Sequence, residues 1–266
     1  MVLHFIESGP TDADTLVLLH GGGVSGWSWD PLRPHLDGCH LLAPDLPEHG
    51  RSADAGPLTI ENAARQVADL ICERAHGGKA HLVGLSLGAQ VGLQLLADRP
   101  ELVNRAMLSG ALVGRPGERS SYSRPFFRGL LRLTLAAYMP FRNQRWLVRA
   151  NMRGFSVPPE YEEPFAGDTR RLTTDAFLRL LEANQGFQLP AGLENARVPA
   201  LLLAGQREVK PVFRSLRLLA EVMPLARACV VTGVGHNWNL EDPALFARTL
   251  RAWIEDRPLP EELRPL

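Results

Sequence analysis

Short apolar runs alternate with stretches of helical periodicity along most of the chain. Residues 15–19 form an apolar run of the kind seen in strands buried on both faces of a parallel sheet, 80–85 a second apolar run, and 41–44, 103–109 and 199–205 also read as strands. Between them, Ile60, Ala64, Val67, Leu70 and Ile71 fall on one helical face, opened by Thr59-Ile60-Glu61-Asn62 and closed by Gly77-Gly78. Leu87, Val91 and Leu95, with Gly92 and Leu96, form another such face, and 211–222 reads as a third helix. Residues 2–7 predict a first strand, 229–232 the last one, and Glu241-Asp242-Pro243 opens a terminal helix. A helix over 30–36, with Pro31 in its first turn, is expected to rest on the sheet through Trp27 and Trp29. This alternation predicts an α/β fold with a mostly parallel, doubly wound sheet.

The pattern breaks once. From about residue 113 strand signals disappear until Pro199, and Arg115, Arg119, Arg124, Arg128, Arg132, Arg142, Arg145, Arg149 and Arg153 are interleaved with Phe126, Phe127, Tyr138, Phe141 and Trp146. Leu130, Leu131, Leu133, Leu135 and Tyr138 are expected to form the core of a helical segment there, with the lining of a pocket as the alternative. The arginines read as a solvated face, with recognition of an acidic substrate as the alternative.

Composition narrows the class of partner. The 266 residues suffice for one large α/β domain, and 45% of them are hydrophobic, as in a folded globular protein. Lys plus Arg and Asp plus Glu stand at 29 each, so no whole-chain field draws nucleic acid or an anionic membrane, and neither is expected as a partner. Cys39, Cys72 and Cys229 are scattered, without metal-ligand or disulfide spacing, which predicts reduced thiols and no metal. The first residues lack a basic segment followed by a long apolar one, and the expectation is a soluble cytoplasmic protein.

Candidate chemistry stands where strands end. Gly84-Leu85-Ser86-Leu87-Gly88 joins an apolar strand to a helix, and a serine at so sharp a turn needs a strained backbone with small neighbours. His20-Gly21-Gly22-Gly23 follows another strand, and a glycine-rich loop of this kind turns N–H groups toward a bound oxyanion. Gln206-Arg207-Glu208 follows residues 199–205, and Gly233-Val234-Gly235-His236 follows the last predicted strand.

Together these segments resemble the α/β-hydrolase superfamily. Gly84 to Gly88 is similar to its nucleophile elbow, and Ser86, Glu208 and His236 occur in its serine, acid, histidine order. Asp45-Leu46-Pro47-Glu48-His49-Gly50-Arg51-Ser52 is similar to its Asp-x-x-Gly-x-Gly-x-Ser loop, with Glu48 where glycine is usual; the resemblance gives Asp45 and His49 the task of holding that loop. It also implies an α/β-hydrolase core over 1–112 and 191–266 with a helical cap inserted at 113–190, and it supports Gly22, or alternatively Gly23, and Leu87 as oxyanion donors. Glutamate at position 208 can serve in place of the commoner aspartate, since the acid only orients the imidazole and stabilises its charged form. The implied activity is cofactor-free serine hydrolysis of a small ester-like molecule through an acyl-enzyme on Ser86. Alternatives within the fold are carbon–carbon bond hydrolysis, lactone hydrolysis or haloperoxidase chemistry; the alternative outside catalysis is a small-molecule receptor that retains the triad.

Overall fold

The computed structural model describes residues 3–118 and 125–266. Arg119 and Arg124 lie outside them. Eight strands form one sheet: β1 (Phe5–Ser8), β2 (Thr15–Leu19), β3 (His40–Pro44), β4 (Ala80–Leu85), β5 (Val103–Ser109), β6 (Ala200–Gly205), β7 (Ala226–Val231) and β8 (Leu263–Pro265), in the spatial order β1-β3-β2-β4-β5-β6-β7-β8. The six from β2 to β7 are parallel, and β1 and β8 run antiparallel at the two edges. The sequence reading missed β8: it is three residues long, carries one buried side chain, and follows a proline-rich stretch without periodicity. The chain's last strand is therefore β8, not the strand at 229–232; β1 begins at Phe5, with Leu3 and His4 before it outside the strand and Val2 outside the described residues.

Helices cover both faces. On one, α1 (Ile60–Arg74), α2 (Leu87–Asp98) and α7 (Lys210–Val222) pack on Val17, Leu19, Leu82 and Leu202; on the other, α8 (Pro243–Ile254) meets Leu16, Leu18, Val83 and Leu203. Neighbouring residues of one strand thus enter opposite cores, as the pleat requires, and this is why the strands read as unbroken apolar runs. The caps match the sequence signals: Thr59 accepts from Asn62 N at 3.1 Å, and Asp242 Oδ1 from Leu245 N at 2.9 Å. The expected helix at 30–36 is instead a 3-10 segment, Gly26–His35, because Pro31 and Pro34 both lie within it and remove backbone donors.

Among the described residues four α-helices stand between β5 and β6: α3 (Pro125–Tyr138), α4 (Arg145–Gly154), α5 (Glu162–Arg171) and α6 (Thr174–Gly186). A single bridge, Gly114 to Gln188, closes the base of this insertion. Val148, Met152, Val157 and Phe165 from the insertion bury themselves against Trp27 and Leu240 of the sheet domain. Trp27 therefore departs from expectation, joining the insertion to the core, whereas Trp29 packs under the sheet against Phe246 as anticipated. Leu130 and Leu133, expected inside the insertion, are 52% and 71% exposed.

Candidate active site

Ser86 lies between β4 and α2 with φ 54° and ψ −113°, a backbone geometry that non-glycine residues rarely adopt. The packing around it leaves little choice. A Cβ on Gly84 would fall 2.6 Å from Gly88 O, and one on Gly88 would collide with the carbonyl of Leu19, so both flanking positions are closed to side chains. Ser86 N donates to Ser109 O at 2.8 Å, tying the turn to the end of β5. Leu87 is the first residue of α2, and its N–H is one of the four that a helix leaves without an internal acceptor.

Glu208 and His236, on the loops after β6 and β7, come together: Oε1 of Glu208 lies 2.6 Å from Nδ1 of His236. The carboxylate is 4% exposed, the imidazole 36%, so the acid is sheltered while the base reaches the solvent side. With Nδ1 engaged, Nε2 is the ring nitrogen left to exchange a proton. Gly110, at φ 70°, passes directly over the pair; a Cβ there would stand 2.8 Å from the imidazole and 3.0 Å from Glu208 Oε1. In the sequence Gly110 only marked the end of a strand. The histidine loop is pinned from two sides, by Trp238 Nε1 donating to Ser109 Oγ at 2.9 Å and by Glu241, which accepts from Gly235 N at 3.1 Å and pairs with Arg207.

The glycine loop is set by His20, whose role sequence reasoning missed. Nε2 of this buried ring accepts from Leu46 N at 2.9 Å, so the proton sits on Nδ1 and is donated to Gly21 O at 2.8 Å. Burial, aided by neighbouring His49, pushes the His20 pKa down to about 3, and the ring stays neutral. Holding the Gly21 carbonyl in this way fixes the peptide that carries the Gly22 N–H. Gly22, Gly23, Ser86 and His236 all line one cavity.

Asp45 and His49 hold the neighbouring loop, as the resemblance implied. Asp45 accepts from Gly26 N and Arg51 N, each at 2.8 Å, and buried His49 lies 3.0 Å from Pro47 O. Glu48, at the position where glycine is usual, does adopt the left-handed φ of 62°. Its side chain supplies the compensation: it accepts from Leu58 N at 3.0 Å and makes a two-pronged pair with Arg179 of α6. Burial would raise this carboxyl, but the guanidinium and the Leu58 N–H prevail and hold it below its ordinary range.

A second tie between insertion and core is Asp168 of α5, which accepts from Ser25 Oγ at 2.8 Å and from Trp27 Nε1 at 2.7 Å. Burial lifts its pKa to about 6 even though both donors favour the charged form. Nothing local in the sequence points to Asp168, since its partners lie more than 140 positions away.

The cavity has a volume of about 550 Å³ and lies between the insertion and the ends of the parallel strands. Leu135, Tyr138, Phe165, Phe177 and Leu180 supply much of its wall. Arg142 is the one arginine among the described residues that line it, and its guanidinium donates to the carbonyls of Met139, Thr169 and Arg170. Other arginines of the insertion pair outside the cavity, Arg132 with Asp175 and Arg145 and Arg149 with Glu162. Among the described residues no group of His, Cys, Asp and Glu is arranged to hold a metal ion.

Strands of this order with a serine on a strained turn and a carboxylate–imidazole pair at the same sheet edge define the class of α/β hydrolases. The chain belongs to the alpha/beta hydrolase family, whose sequence model matches residues 16–249. It is 36% identical over 260 residues to the pyrrolizixenacetamide deacetylase of Xenorhabdus hominickii, covering 92% of each chain. An AB hydrolase superfamily protein of Gibberella zeae is 29% identical over 264 residues, with 97% of this chain and 86% of that protein covered. Among solved structures, the enol-lactonase from Burkholderia xenovorans LB400 superposes with a TM-score of 0.73 at 22% identity, covering 95% and 96% of the two chains, which shows the shared fold.

Proposed function

We propose that this hydrolase cleaves uncharged, largely apolar esters through an acyl-enzyme on Ser86. His236 takes the Ser86 proton as Oγ attacks the carbonyl carbon, Glu208 holds the imidazole and stabilises its charged form, and the N–H groups of Gly22 and Leu87 receive the oxyanion. Collapse of the tetrahedral adduct expels the alcohol with the proton from His236; water then attacks the acyl-enzyme as it gives a proton to His236, and the second adduct collapses as His236 returns that proton to Ser86 Oγ and the acid leaves. The observation that carries this reading is the 2.6 Å Glu208–His236 contact, with His236 lining the same cavity as the strained Ser86. The substrate class follows from the lining: the wall is mostly apolar, and its arginine already donates to three backbone carbonyls, which leaves it few N–H groups to receive a carboxylate substrate.

The relative of 36% identity is named a deacetylase of an acetamide, which favours an amide as the second substrate class for the same machinery. A panel of p-nitrophenyl esters and anilides tests both. Turnover is expected to rise from acetyl to medium-length acyl groups, with hemisuccinyl esters poor substrates. A preference for the charged acyl group would overturn the apolar reading, and faster anilide than ester cleavage would place amides first.

A further inference from the structure

The even charge balance of the whole chain conceals an uneven distribution. Residues 113–190 hold 12 arginines against 7 acidic residues, leaving the rest of the chain acidic in balance. Within 125–154 the asymmetry is complete: six arginines and no acidic residue. The same stretch carries five of the large apolar side chains most exposed in the molecule, Phe126 at 84%, Leu130 at 52%, Leu133 at 71%, Phe141 at 55% and Trp146 at 67%. Lone exposed leucines are ordinary, but a cluster of this kind on one segment is not.

Helix α3 arranges these residues in a specific way. Phe126, Leu130 and Leu133 are spaced four and three apart and share the outer face, while Leu135 and Tyr138, on another side, line the active-site cavity. One helix therefore has an apolar face turned outward and an apolar face turned to the site. A second copy of this chain is a poor cover for the outer face, since it would bring two acid-free arginine stretches together. Some of the charge is met within the insertion, but Glu162 alone serves both Arg145 and Arg149, and the exposed Arg153 adds to the excess. An apolar helix face with flanking aromatics and arginines fits the boundary of an anionic bilayer, where the rings enter the headgroup layer and guanidinium groups meet phosphate.

We propose that the segment from α3 to α4 docks on anionic lipid surfaces, placing the cavity beside the membrane so that apolar substrates can pass into it from the lipid phase. This is peripheral attachment, since among the described residues no helix is long and apolar enough to cross a membrane. It does not depend on the nature of the nucleophile.

The test is flotation of the full chain with phosphatidylcholine vesicles, with and without about a third phosphatidylglycerol. Binding is expected to the anionic vesicles, to weaken at high salt, and to fall by about tenfold or more in a Phe126→Glu, Leu133→Glu double variant. Both side chains lie outside the cavity wall, so turnover of a short soluble ester should stay within about twofold, a surface change being nearly neutral for the fold. Should that variant melt early, Phe126→Ser with Leu133→Ser is the gentler version and should show the same loss in smaller measure. Absence of flotation, equal binding to neutral and anionic vesicles, or unchanged binding by both double variants would overturn the proposal. A dimer in sedimentation velocity that the variants dissociate would also overturn it, assigning the face to a second copy.

Discussion

The sheet edge and the helical insertion face each other across one cavity, yet they are held in opposite ways. At the sheet edge close backbone packing sets the frame, with side-chain bonds from His20, Trp238 and Glu241 added to it: Gly84 and Gly88 touch main chain, Gly110 lies over the acid–histidine pair, and Gly205 is packed against the Gly235 carbonyl. The insertion is fastened to the core by side chains, Asp168 to Ser25 and Trp27, Arg179 to Glu48, and a small apolar cluster around Trp27. The candidate catalytic residues are thus set on a framework packed against β-strands, while the insertion that walls the cavity hangs on side-chain contacts that can change without disturbing it.

If that division is right, the largest effects come from the sheet edge. Ser86→Ala should fold normally and lose activity by a factor on the order of a million, as removal of a triad nucleophile can do. Retention of most turnover would place the nucleophile elsewhere. Glu208→Gln should follow with a loss of about four orders of magnitude at an unchanged melting temperature, because the amide supports the wrong imidazole tautomer. Its two rivals sharpen the point. Asp45→Asn and Asp242→Asn, which remove a loop anchor and a helix cap, should lower the melting temperature and leave turnover nearly intact. A turnover loss confined to either of them would shift the acid.

Gly22→Pro removes one N–H and should cost turnover about 3 to 4 kcal/mol of transition-state stabilisation while a substrate analogue binds nearly as before. Equal losses in binding and turnover would count against an oxyanion role. Leu180 lies close enough to Gly22 that the melting temperature must be checked alongside.

The smallest effect belongs to the insertion. Asp168 has a folded pKa of about 6, above the ordinary carboxylate value near 4. Between those values the folded chain keeps a proton that the unfolded chain releases, so this group's contribution is full below about pH 4 and is lost as pH rises through 6. The loss is on the order of 2 to 3 kcal/mol. His20 acts with the opposite sign, its depressed pKa favouring the folded state as pH rises. The comparison must therefore be made by difference: the stability of Asp168→Asn relative to the parent should climb across this window. A flat difference would show that the carboxyl is not held protonated by burial.

Which parts of this arrangement could be read from the sequence follows the same division. Glu208 and His236 stood out through the family resemblance, whereas strand ends and the elbow were legible because apolar runs and glycine spacing are local signals. Contacts between insertion and core were not, since Asp168 finds Trp27 only in three dimensions. Trp27 was assigned to the sheet because a tryptophan beside a predicted helix carries no mark of its partner. Leu130 and Leu133 were placed inside because periodicity records a face and not what covers it. Pro31 was taken as a helix start, and only with Pro34 so near does the 3-10 path become the one the backbone can follow.

The central claim is that Ser86 is an activated nucleophile rather than a serine held in a strained turn. Treating the protein with a fluorophosphonate and reading intact mass and peptide map tests it without knowledge of the substrate. The account predicts one adduct per chain on the peptide containing Ser86, absent from Ser86→Ala and formed far more slowly by His236→Ala. An unlabelled protein, or an adduct on another residue, would contradict it.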